Sequence, residues 1–175
     1  AVSFAALFGI VSKLGFDQAH VKRVSEGRDL GECIGTFFVI KLGLTAVYAI
    51  AVFLALYVWT DILGRGFETN ETLVAIYILV CYSIIATPAQ VLLVTFQARK
   101  EMAKHQTAFF VNTLARTGAT ILIALSGKGA LELAFTYIIG EIALIVVAGV
   151  LFTRYPIKRP SLLLFNSYSK FAFPL

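Results

Sequence analysis

The sequence predicts an all-α fold, a polytopic transmembrane helix bundle, on three observations. Hydrophobic residues make up 59% of the 175 residues and charged residues only 14%, with a mean hydropathy of +0.85. A soluble domain carries about 25% charged residues, so this chain has too little polar surface to face water. Four apolar runs each reach the length of about 20 residues that a helix needs to cross the hydrocarbon core. Lys and Arg are confined almost entirely to alternate loops between those runs. The spans must be helical, because lipid offers no partner for open backbone groups.

In chain order, residues 1–14 read as the end of a membrane helix. The stretch 15–29 follows as a short amphipathic helix on the membrane surface, with Asp17 as its expected N-cap. Residues 33–59 form a first complete span, long enough to be tilted. A polar loop over 60–72 leads to the second span, 73–96. A basic loop, 97–106, precedes the third span, 107–125. A Gly-rich turn at 126–130 closes a hairpin onto the fourth span, 131–152. Two prolines hold open the basic loop 153–160, and 161–175 reads as an interfacial helix opening a further span. Apolar runs reach both ends, so the chain is expected to be a piece of a longer protein.

Orientation follows from the basic residues. Lys13, Lys22, Arg23, Arg28, Arg99, Lys100, Lys104, Arg154, Lys158, Arg159 and Lys170 fall on one side, against Arg65 and Lys128 on the other. The positive-inside rule makes the crowded side cytoplasmic. The net charge of +5 is therefore a topological signal, and no nucleic-acid partner is expected, since no single basic face forms. Asn70-Glu71-Thr72 is a glycosylation sequon in an expected outside loop, which makes Asn70 a modification candidate.

Few residues offer chemistry. Cys33 and Cys81 sit far apart in apolar runs and read as small core residues. His20 and His105 lie in different basic loops without companions at metal spacing, so no metal or cofactor is expected. Three ionisable residues lie deep in spans: Lys41, Arg116 and Glu141. A charge at mid-membrane costs at least about 2.5 kcal/mol and faces protein or a polar cavity. Lys41 is eight residues past Cys33, a depth of about 12 Å, from which it either snorkels or lines a cavity. Arg116 and Glu141 are almost equidistant from the hairpin tip at Gly129, which puts both about 18 Å from the turn. They read either as a structural ion pair or as the lining of a polar pathway. Three polar stripes at helical spacing favour the pathway: Asn112, Arg116 and Thr120; Lys41, Thr45 and Tyr48; Tyr137 and Glu141. Pro88 removes a backbone hydrogen bond, kinks its span near Ile84, and is a hinge candidate.

The order of segments carries a resemblance. "KLGFDQAHVKRVSEG", "FQARKEMAKHQ", a span with a mid-helix arginine, "GKGALELAFTYIIGEIALIVVAGVLFTRYP" and "LLLFNSYSKFAFPL" together resemble the polysaccharide-transport family of lipid-linked oligosaccharide flippases. That family belongs to the superfamily that includes the multidrug and toxic compound extruders. The resemblance implies that the chain is a partial six-helix N-terminal lobe of a two-lobe, MATE-like transporter, that its complete spans are helices three to six, and that a C-terminal lobe is missing. It implies a multi-pass protein of a prokaryotic cytoplasmic membrane, not an enzyme. The substrate would be a polyprenyl phosphate or pyrophosphate bearing a sugar chain, moved by alternating access among membrane lipids. Arg116, Lys41 and Asn112 are the substrate-binding candidates, and Glu141 is the candidate for ion coupling.

Three other readings compete. A cation-coupled multidrug exporter of the same fold would favour acidic cavity residues, whereas two of the three deep charges here are basic. A membrane-embedded glycosyltransferase needs clustered acidic residues near one face; Asp61, Glu68 and Glu71 offer no DxD pair. The fourth reading is a non-transporting membrane scaffold, against which the buried charges are a weak argument.

Overall fold

A computed structural model describes residues 15–64 and 70–172 of the chain. The expected helix end over 1–14, together with Lys13, Arg65, Glu68 and residues 173–175, lies outside them. The described residues form helices α1 (Phe16–Ser25), α2 (Leu30–Tyr57), α3 (Asn70–Ala98), α4 (Met102–Leu125), α5 (Ala130–Phe152) and α6 (Leu162–Ala172), with a π-helical turn at Val58–Ile62 after α2. Four helical stretches are long and apolar enough to cross a membrane: Leu30–Ile62, Glu71–Ala98, Met102–Leu125 and Leu131–Phe152.

The fourth span has the expected limits, and the other three start or end beyond theirs, because the helical backbone continues past the apolar run into the polar flanks. The largest change is at the basic loop 97–106. Helix α3 runs to Ala98 and α4 starts at Met102, so the loop shrinks to three residues. Lys100 takes a left-handed conformation there, φ 60°, which is uncommon for a residue with a side chain. A cluster around Glu101 pins the turn. Its carboxylate accepts from Arg99 Nε at 2.9 Å, pairs with Lys104 Nζ at 2.7 Å, and accepts from the Tyr155 hydroxyl beyond α5. These donors hold the Glu101 carboxyl down at about 2. Tyr155 in turn stacks on Phe152 and meets Phe96 edge-on, tying the α3–α4 turn to the end of α5.

Across the bundle, α2 packs on α3, α3 on α5, and α5 on α4. Helix α4 is the outermost and buries least of its apolar surface. Between α2 and α3, on the half away from the basic loops, Tyr48, Val52, Leu56, Ile76 and Val80 make one core. The larger core lies toward the basic end, where α1 and α6 cover the bundle.

Gly15, at φ 72°, turns the chain into α1 one residue before Phe16. Asp17 is thus inside the first turn and not its cap, and its carboxylate is spent elsewhere. His20, read from sequence as a loop residue, is fully buried and stacks on Phe37 with ring centroids 4.3 Å apart. Its hydrogen bonds fix its proton. The Thr95 hydroxyl donates to the Val91 carbonyl at 2.7 Å. It therefore accepts from His20 Nε2 at 3.1 Å, and His20 Nδ1 accepts from the Tyr168 hydroxyl at 2.8 Å. The neutral ring joins α1, α3 and α6, and burial lowers its pKa to about 3. Cys33 is buried beside this chain, whereas Cys81 is exposed on the flank of α3 and is not the core residue expected.

The segment after α5 docks across the start of α2. Lys158 N donates to the Gly31 carbonyl at 3.1 Å, and Ser161 N donates to Thr36 Oγ1 at 2.9 Å. Gly31 and Gly35, four residues apart on one face, leave room for this approach. A Cβ on Gly31 would fall 2.8 Å from the Lys158 side chain, and one on Gly35 would collide with the Lys158 carbonyl.

Candidate functional site

The deep charges fall into two different settings. Lys41 is 2% exposed. Its ammonium pairs with Asp17 of α1 at 2.6 Å and reaches Gln90 Oε1 of α3 at 3.4 Å. It neither snorkels to water nor lines the cavity that holds Arg116. One turn deeper, Thr45 shares a 2.6 Å hydrogen bond with Thr87, and Thr87 also donates to the Ser83 carbonyl. This clamp stands beside Pro88, and α3 runs unbroken through the proline.

Arg116, Asn112, Thr120 and Glu141 meet in a cleft of about 520 Å³ between α3, α4 and α5, lined also by Tyr82 and Gln90. The sequence stripe on α4 therefore faces one space, and Arg116 and Glu141 stand at the same level of the hairpin. Gln90, Phe109, Thr113, Thr117 and Ile121 on its rim are exposed, so the cleft is open rather than sealed. Its walls are mixed: Ala86, Leu93 and Leu144 lie among the polar groups.

Arg116 and Glu141 share the cleft without forming an ion pair. No carboxylate among the described residues lies within 4.0 Å of the Arg116 guanidinium. The guanidinium carbon sits 3.7 Å over the centre of the Tyr137 ring, a cation–π contact. Glu141 is 6% exposed, and Asn112 Nδ2 donates to its Oε2 at 3.3 Å. Asn112 thus engages the carboxylate while the half-buried arginine keeps its charge toward the cleft. A cation held this way within a long apolar helix can partner an anion, since the planar guanidinium fork matches phosphate and carboxylate oxygens.

Asn70 opens α3 at the end opposite the basic turns, far along the helix from the cleft. Sequence reading missed Tyr82, Gln90 and Gly140 as participants. Tyr82, Ala86 and Gln90 recur every fourth residue, a signal that was present. Gly140 carried none, because only the packing of α4 on α5 shows what approaches it. The chain matches no family model, curated protein or solved structure.

Proposed function

We propose that this chain is part of a membrane transporter that carries a lipid-linked anionic glycan, a polyprenyl phosphate or pyrophosphate bearing sugars, across the bilayer by alternating access. One observation carries the reading: Arg116 lies in an open cleft at mid-span with its charge balanced by no carboxylate within 4.0 Å among the described residues. A structural arginine at that depth would be paired, since an uncompensated charge in the membrane is costly. The mixed lining suits a substrate with a charged headgroup and an apolar tail. The buried, hydrogen-bonded Glu141 suits ion coupling better than headgroup contact. A multidrug exporter for cations would present the opposite arrangement, with the carboxylate open and the arginine withdrawn. The basic end would face the cytoplasm.

Glycan export measured beside membrane abundance tests the reading. Arg116→Ala is expected to lower export at least tenfold at normal abundance, and Arg116→Lys to retain part of it, because charge survives without the fork. Adding Glu141→Ala to Arg116→Ala is expected to restore nothing. A double variant with full export would make Arg116 a structural partner of Glu141 and end the proposal.

A further inference from the structure

Arg116 is held by a short stretch of α5. Tyr137 lies under its guanidinium. Gly140, one turn on, lies under its stem: a Cβ there would fall 2.9 Å from Arg116 Cβ and 3.2 Å from the Asn112 carbonyl. Only glycine lets α4 come this close. Glu141, the next residue, is bonded to Asn112. A guanidinium carbon 3.7 Å from a ring centre is at van der Waals contact with the ring. That distance is the one a face-stacked guanidinium takes, and stacking turns its N–H donors outward in its own plane, toward a bidentate acceptor. Tyr82 of α3 braces the arrangement by meeting the Tyr137 ring edge-on at 5.7 Å and 71°.

We infer that Tyr137 and Gly140 form a cradle that positions Arg116 for two-point binding of a phosphate oxyanion, Tyr137 by stacking and Gly140 by close approach. Both are positioning residues, acting through Arg116. The inference rests on the cleft being an anion site and adds what orients its cation. Stacking also explains why the arginine is not drawn onto Glu141. The ring face offers the guanidinium an attraction that does not neutralise its charge, and Asn112 donates to one oxygen of the carboxylate.

The test is binding of inorganic pyrophosphate to the protein in lipid nanodiscs, with residue 137 replaced in turn by phenylalanine and by progressively fluorinated phenylalanines. Fluorine drains the ring face of electron density while keeping its size, so a purely structural ring would not register the change. Tyr137→Phe is expected to bind like the parent. The most fluorinated ring is expected to weaken binding by about three- to tenfold, in step with fluorine number. Gly140→Ala, by displacing the arginine stem, is expected to weaken binding while Gly149→Ala, on an open stretch of α5, leaves it unchanged. Arg116→Ala separates this inference from the one beneath it. If Arg116→Ala binds pyrophosphate like the parent, or the parent binds none, the anion site itself fails. If Arg116→Ala loses binding and the fluorinated series is flat, the site stands and the cradle is overturned.

Discussion

Lys41 and Arg116 are both cations in the middle of apolar helices, and the molecule treats them in opposite ways. At the basic end the buried titratable side chains under α1 meet polar partners. Lys41 has Asp17 and Gln90, and His20 has Tyr168 and Thr95. In the cleft, Arg116 has an aromatic face and no carboxylate within 4.0 Å among the described residues. The first region uses charge to close a structure; the second keeps it available. A cation's partner therefore says more about its role than its depth does.

Paired deletions break or sharpen that comparison most strongly. Asp17→Ala removes the carboxylate that faces the buried Lys41, and is expected to cost about 3 kcal/mol, read as a lowered thermal midpoint. Asp17→Ala with Lys41→Met removes both charges and is expected to recover most of that loss. The corresponding pair in the cleft, Arg116→Ala with Glu141→Ala, is expected to rescue nothing. If both double variants behave alike, the two regions do not differ in kind.

The next effect is on pH. His20 ionises in the fold near 3, below its ordinary value of 6.5, so the folded protein holds fewer protons than the unfolded chain between those values. Its contribution is complete above pH 6.5 and is lost as the pH falls toward 3, by about 2 kcal/mol at pH 5. Glu101, held at about 2, loses its contribution lower, as the pH falls from its ordinary 4.5. A thermal midpoint followed from pH 7 to pH 5 isolates the histidine, and His20→Gln is expected to flatten that slope. An unchanged slope would mean that the ring is charged or solvated.

The smallest contrast lies within the docked segment. Gly35→Ala forces a methyl against the Lys158 carbonyl and is expected to cost about 1–3 kcal/mol, as overpacking does. Lys158→Ala removes an exposed ion pair to Asp29 and is expected to leave the midpoint unmoved. The reverse order would show that the surface charge, and not the backbone approach, holds this segment.

Composition and periodicity determined the all-α architecture, the four spans, the grouping of basic loops at one end, and the common level of Arg116 and Glu141. These were legible because lipid leaves the backbone no alternative to helix, and because helical spacing fixes which residues of one helix share a face. The stripe Asn112, Arg116 and Thr120 was read in this way and does line one cleft. What the tertiary structure alone decided is which group each charge meets. Asp17 looked like a cap and is the partner of Lys41. His20 looked like a loop residue and is the centre of a buried chain of hydrogen bonds. Tyr137 rather than Glu141 receives Arg116, because Gly140 brings two helices close enough to slide a ring beneath the guanidinium. Periodicity along one helix carries no record of the distance to the next, and at the range of a hydrogen bond or a stacked ring that distance selects the partner.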